Sequence, residues 1–256
     1  MEAEFGLSLL VRNKSGIRLT NNGERLIPHI RQILQMNEKL NQEAAALKGV
    51  ELGTVKIGTF LSVSIQWLPS IIKDFHSQCP SIELKLLDGN HDEMEKRLME
   101  GSIDLGFITL PTRKSFHVVP LKRDRMMCIF PAGHRFEHQT AIRPDQLIDE
   151  PFSIPVSGCD SDIQRIFAQN QLKPKVKYDI EGDQAIIAMV QCGLGISILP
   201  EMNVSELPDN VCYRPLEGEY CRSIGIAIAL YDSASPAAKK VFTFITQWLS
   251  QQANHL

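Results

Sequence analysis

Long apolar runs are missing from this sequence. No stretch approaches the roughly 18 consecutive apolar residues of a membrane-spanning helix, so nothing in it is a candidate to cross a bilayer as a helix. The N-terminus, Met1-Glu2-Ala3-Glu4, has neither the basic nor the apolar region of a signal peptide. The expectation is a cytoplasmic protein without membrane contact. Paired cysteines are also missing. Cys79, Cys128, Cys159, Cys192, Cys212 and Cys221 are scattered with no C-x-x-C, which argues against a structural zinc site or a dense disulfide framework. Neither sign of charge dominates: 27 Lys+Arg stand against 30 Asp+Glu, a formal −3. Any DNA contact must therefore be local rather than a bulk property of the surface.

Catalytic patterns are absent as well. No nucleophile with its base, metal set or phosphate loop has a recognisable spacing. His134 and His138 flank Glu137, but Pro131 and Gly133 make that segment a loop, where helical spacing has no meaning. The expectation is a non-enzyme without metal or cofactor.

What is present is a globular composition, 256 residues with 43% hydrophobic, enough for one large domain or two small lobes. Arg12, Lys14, Arg18, Arg25 and Arg31 form its one basic stretch. Within it Asn13-Lys14-Ser15-Gly16 is a turn signal, and Thr20 stands as an N-cap before a helix expected over 21–48. In that helix Leu26, Ile30, Ile33, Asn37, Leu40, Ala44 and Leu47 alternate four and three apart, a coiled-coil seam that calls for a partner chain. A helix lying on its own domain is the other reading. Pro28 should kink it.

From Thr54 the chain alternates strand and helix patterns, as in an open α/β sheet. Val55–Phe60, Ile82–Asp88 and Ile103–Thr109 read as strands. A helix with Trp67, Leu68, Ile71, Ile72 and Phe75 on one face follows the first, and Asn90 with Glu93 opens another as a capping box. The plan repeats with strand 152–155, a helix from Asp160-Ser161, strand 175–180, helix 184–192 and strand 196–199. Ile224–Leu230 is an apolar strand. A last helix from Pro236 should bury Val241, Phe242, Ile245, Trp248 and Leu249 against the first lobe.

Three segments then resemble the LysR-type transcriptional regulators. Phe5 to Arg12 and Gly16 to Gly23 match the family's L-G-x-x-L-F-x-R and L-T-x-x-G at the end of its winged helix-turn-helix. Gly101 to Phe107 matches G-x-x-D-x-x-I/L, and Val190 to Pro200 matches V-x-x-G-x-G-I-x-x-L-P. The resemblance implies an α/β, two-lobed periplasmic-binding-protein-like effector domain, preceded by a long linker helix and a remnant of a winged helix-turn-helix. The corresponding divisions are residues 1–20, a linker and dimerisation helix over 21–48, lobe I over 53–130 with 232–256, and lobe II over 131–231. The base-reading helix is not in this sequence, so Arg12, Lys14 and Arg18 are left as contacts to the DNA backbone, which position a protein without specifying sequence.

The implied partners are a small-molecule effector between the lobes, with a carboxylate among the candidates, DNA for the full-length form, and further copies of the chain, as a homodimer or homotetramer through the linker helix and effector domain. Thr59, Leu61, Ser62, Val63 and Ser64, at a strand-to-helix turn, match the family's first effector segment. That turn offers backbone N–H groups and hydroxyls to an anion. Thr109, at a strand's carboxyl end, faces the same crevice. Val156, Ser157 and Gly158, then Gly182 and Asp183, are the loop-to-helix junctions of the second lobe. Ser62, Ser64, Ser161 and Asp183 equally suit simple N-caps. With no Arg or Lys in these segments, an anionic ligand would depend on helix-end amides and hydroxyls, and a neutral ligand suits them equally. The Gly193-Leu194-Gly195 turn reads as packing.

Two alternatives remain. A thiol-based redox sensor would use Cys159 at a helix N-terminus, or Cys212 facing Cys221 across a hairpin. A cytosolic solute-binding module would lack DNA binding altogether.

Overall fold

The computed structural model describes residues 1–14, 16–156 and 160–253. It opens with a one-turn helix, α1 (Glu2–Phe5), and an antiparallel hairpin of β1 (Leu10–Asn13) with β2 (Gly16–Leu19). The hairpin stands where the turn signal at 13–16 places a turn. Ser15 of its turn lies outside the described residues. Thr20 then caps α2 (Asn21–Ala46), its hydroxyl accepting from the Gly23 amide at 3.0 Å, and the helix continues through Pro28.

β3 (Gly53–Thr59), α3 (Leu61–Gln66), α4 (Leu68–Gln78), β4 (Ile82–Asp88), α5 (His91–Met99) and β5 (Leu105–Leu110) follow, with β3 parallel to both β4 and β5. The single helix expected after β3 is interrupted at Trp67. Pro69 has no N–H to give to the Ile65 carbonyl, so α3 ends and α4 restarts with proline in its first turn. The capping box at α5 is present, Asn90 Oδ1 accepting from the Glu93 amide and Glu93 Oε2 from the Asn90 amide.

The sequence pattern missed the next element. β6 (His117–Pro131) is a 15-residue strand that leaves the first lobe and enters the second. There β7 (Pro151–Pro155), α6 (Ser161–Gln169), β8 (Lys175–Ile180), α7 (Asp183–Gln191), β9 (Ser197–Pro200) and β10 (Val211–Pro215) assemble around its far end. The chain returns through β11 (Cys221–Ile228) and α8 (Pro236–Ala253). The main sheet has the order β10-β6-β11-β5-β3-β4 with β9 also on β6, while β7 and β8 form a separate parallel pair.

Packing shifts the expected lobe limits. Met126 to Phe130 are buried in the second lobe's cores rather than the first. β11, expected in the second lobe, pairs with β5 and with the first half of β6, and its Ile224, Ile226 and Ile228 share a core with Val55, Ile57, Phe75 and Phe107. α8 closes that same core through Val241, Phe242, Ile245 and Leu249, as the sequence pattern predicts.

α2 lies along the first lobe through polar side chains. Arg31 Nη1 reaches Glu100 Oε2 at 3.2 Å, Gln35 Nε2 donates to the Gly101 carbonyl at 2.6 Å, Lys39 Nζ to the Ser233 carbonyl at 2.8 Å, and buried Gln42 accepts from the Ala237 amide at 3.2 Å. The apolar seam points elsewhere: Ile33, Leu40 and Leu47 are 69%, 66% and 90% exposed. The helix thus lies on its own domain by a polar face and leaves these seam residues open to solvent.

The Gly195 turn is a packing device, as expected. Its φ is +150°, and a Cβ there would stand 2.3 Å from the Pro151 carbonyl oxygen, which accepts the Ile196 amide. Gly195→Ala combines a backbone that L-residues avoid with a backbone clash, and should cost roughly 2 kcal/mol or more. A lower unfolding midpoint in urea with an unchanged m-value is the expected result.

Candidate functional site at the lobe junction

Where β6 and β11 pass between the lobes, Asp124 and Arg222 are register partners. Both are buried, at 0% and 4% exposure. Arg222 Nε and Nη2 reach Asp124 Oδ2 at 2.8 and 2.7 Å. The other carboxylate oxygen accepts from the Met202 amide of the second lobe at 3.1 Å. Arg222 Nη2 also donates to Ser62 Oγ, in the first turn of α3, at 2.7 Å. One ion pair thus joins the first lobe, both crossing strands and the second lobe. Gln66 adds an interlobe bond to Ser205 Oγ at 2.5 Å.

A cavity of about 310 Å³ opens beside this cluster. The first lobe contributes Phe60, Ser62 and the N-terminus of α5, and the second contributes Val156 and the first turns of α6 and α7. The Phe60 ring lies between two groups, with the Arg222 guanidinium carbon 5.4 Å from its centroid and the His91 ring edge-on at 4.7 Å. Among the described residues Arg222 Nη1 has no hydrogen-bond partner, although Arg222 lines the cavity.

The residues expected from the sequence divide into two sets. Leu61, Ser62, Val156, Gly182 and Asp183 line the cavity. Thr59, Val63, Ser64 and Thr109 do not. Thr59 is buried and its hydroxyl lies 3.1 Å from Ser64 Oγ, so these two satisfy each other. Val63 is fully buried in the first-lobe core. Thr109 Oγ1 meets His91 Nδ1 at 2.8 Å, placing it behind a ring that itself lines the cavity. Ser157 and Gly158 lie outside the described residues, as does Cys159. The simple N-cap reading is not what the structure shows, because the caps of α3, α6 and α7 are Phe60, Asp160 and Gly182, each without a side-chain cap bond. Arg12, Lys14 and Arg18 are exposed on the wing, but register puts Arg12 opposite Ile17 and Arg18 opposite Val11, hence on opposite faces of the hairpin.

Sequence reasoning missed Arg222, Asp124, His91, Asp162 and Asn203. The statement that no arginine stands in the cleft is corrected by Arg222. A signal was available: one arginine opens an otherwise apolar buried strand, and one aspartate sits in the middle of another.

The thiol expectation fares differently. Cys212 lies across from Phe130 and Cys221 across from Arg125, well apart along β6, so these two cysteines do not face each other. Burial holds the Cys128 thiol well above the ordinary range. Among the described residues no group of three or more His, Cys, Asp or Glu is placed to hold a metal ion, and no helix is long and apolar enough to cross a membrane.

Burial, reinforced by the positive charge of Arg222, pushes His91 down to about 4 from an ordinary 6.5. Burial raises Asp162 and Asp183, against the pull of Arg165 and Arg222 on the first, and of Arg222 and Asn203 on the second. A histidine depressed in the fold takes its proton more readily when unfolded, so its contribution to stability is lost as pH falls from about 6.5 to about 4. The raised carboxyls act in the opposite sense. The wild-type minus His91→Gln difference in unfolding free energy should therefore fall across that window and be flat above pH 7.5. A difference independent of pH would show that His91 is not held neutral by its surroundings.

A family model described as the LysR substrate binding domain matches residues 48–250. The chain is 34% identical over 242 residues to the uncharacterized HTH-type transcriptional regulator YvbU of Bacillus subtilis (strain 168), covering 93% of this chain and 82% of that protein. The fold is similar to the effector binding domain of QuiR in complex with shikimate, with a TM-score of 0.71 at 19% identity over 78% of this chain and 99% of that one. It is also similar to full-length BenM, with a TM-score of 0.71 at 24% identity over 98% and 85%.

Proposed function

The chain belongs to the LysR family of transcriptional regulators, and from that premise we propose that its interlobe cavity binds a small organic effector whose occupancy is relayed through α2 to the DNA-binding end. The observation that carries this reading is the Asp124–Arg222–Ser62 cluster, a buried polar junction that contacts both lobes and borders a cavity of effector size. The QuiR effector binding domain, of like fold, is described in complex with shikimate, a molecule of a size that about 310 Å³ accommodates. The chain acts as a regulator rather than a catalyst.

A ligand shifts a two-state equilibrium only by its difference in affinity for the states. Here that difference is available at Ser62 and Arg222. A ligand that engages the Ser62 hydroxyl or the Nη1 side of the guanidinium alters the bonds that set the lobe angle. The first lobe is tied to α2 through Glu100, Gly101, Ser233 and Ala237, so lobe rotation is felt at the linker. The outward seam of Ile33, Leu40 and Leu47 joins two copies. Of Arg12, Lys14 and Arg18, those on the hairpin face that meets the duplex contribute phosphate contacts.

Thermal unfolding of the chain against a library of small polar metabolites tests the cleft. At about 100 times its Kd a ligand adds about 2.7 kcal/mol, raising the midpoint by roughly 5–10 °C at this size. The shift should be lost or sharply reduced in Ser62→Ala, and a library without any hit overturns the reading. Assembly is tested separately: Ile33→Asp with Leu40→Asp should leave the thermal midpoint of the lobes nearly unchanged while sedimentation shows a monomer. A doubly substituted chain that sediments as the wild type does would remove α2 as the dimer contact.

A further inference from the structure

The helix N-termini around the cavity are not open anion seats. α5 carries Asp92 and Glu93 in its first turn, α6 carries Asp162 and α7 carries Asp183. A carboxylate in the first turn already takes the favourable potential of the helix end, so the chain itself occupies the positions that a bound anion would use. The other charges of the lining add to this. Asp88 and Glu181 are further carboxylates, whereas Arg222 is the one Arg or Lys among the lining residues and is spent on buried Asp124. His91 is held neutral.

A second observation is independent of charge. Two lining residues present fully buried oxygens without a hydrogen-bond donor, Asp162 Oδ1 and Asn203 Oδ1. Arg165 Nη2 stands 2.7 Å from the Asp162 oxygen as an ion pair, but outside hydrogen-bonding geometry. Asn203 spends its amide nitrogen on Asp183 Oδ2. Asp162 is 7% exposed and lines the cavity. Buried acceptors of this kind are costly unless a donor arrives. A wall rich in such acceptors favours an occupant that brings an N–H or O–H over one that brings an anion.

We propose that the effector selected by this cleft is a small molecule bearing a protonated amine, held by Asp162, Asp183 and Asn203, with any carboxylate it also carries directed to the Ser62–Arg222 corner. The inference rests on reading the cavity as the effector site and adds the chemical class of the ligand. A free carboxylic acid or a phosphate, which the strand-to-helix turn alone would favour, is disfavoured by the second lobe.

The test is thermal unfolding of the intact chain with matched pairs that differ only in the amine: alanine against propionate, glutamate against glutarate, phenylalanine against 3-phenylpropionate, and putrescine against 1,4-butanediol, with inorganic phosphate as a further anion. At least one amine-bearing member should raise the midpoint by several degrees while its partner raises it by less than a degree. The same member should lose its shift in Asp183→Asn and in Asp162→Asn. Both variants, relieved of a desolvated carboxylate, should melt at or above the wild type in the absence of ligand, which shows that loss of the shift is not loss of fold. A shift from propionate, glutarate, 3-phenylpropionate or phosphate with the amines inert overturns the ligand class and leaves the effector cleft standing. An amine shift that survives both substitutions is general cation binding to an acidic surface and overturns the assignment. No shift from any member overturns the class, and silence of the wider library as well takes the effector reading with it.

Discussion

The Asp124–Arg222 ion pair sets the geometry on which the rest of the molecule turns. Two charges taken out of water are costly, and removing one partner of such a pair leaves the other stranded at roughly 3–5 kcal/mol. The pair is kept because each member also satisfies neighbours from separate elements: the Met202 amide on the carboxylate side, the Ser62 hydroxyl on the guanidinium side. Register fixes it, since the two residues are cross-strand partners where β6 and β11 pass from one lobe toward the other. The lobes are therefore joined by hydrogen bonds of definite length beside the apolar seat of Met202 in the first-lobe core.

Electrostatics around the joint follow from it. The charge of Arg222 is felt at His91, Asp162 and Asp183, depressing the first and restraining the rise of the other two. Burial works in the same direction on the histidine and the opposite direction on the carboxylates. The cavity is left with neutral imidazole, an arginine already engaged, and several acceptors. This distinguishes the site from a generic helix-end anion pocket, although the backbone scaffold would build either.

Legibility followed locality. Elements with strong local signals were readable: the capping box at Asn90 and Glu93, the strand over Ile82–Asp88, the Thr20 cap and the apolar face of α8 all stand within a residue or two of expectation. β6 was not, because its first half is bordered by solvent and its second half is buried on both faces, so no single period runs through it. The lobe limits moved for the same reason. At the site, residues adjacent in sequence to a strand-to-helix turn were found, while Arg222 and Asp124, 98 positions apart, were not. Nothing local announces a long-range ion pair except the oddness of a charge in an apolar strand. Ser64 and Thr59 were named for their hydroxyls, yet they spend these on each other, a pairing visible only once the turn is built.

The path of β6 has a consequence for synthesis. Everything from Met126 to Tyr220 forms the second lobe as one continuous segment, inserted between two parts of the first. The first lobe's sheet is incomplete until β11 is supplied, and its core is uncovered until α8 docks. A chain made from its N-terminus and folding by units therefore lacks the β11 partner of β5 and the α8 part of the first-lobe core for the whole time that the second lobe is translated and closing. Residues made after the second lobe complete a sheet begun before it, and the joint between the lobes comes into being only then, because Arg222 arrives with them.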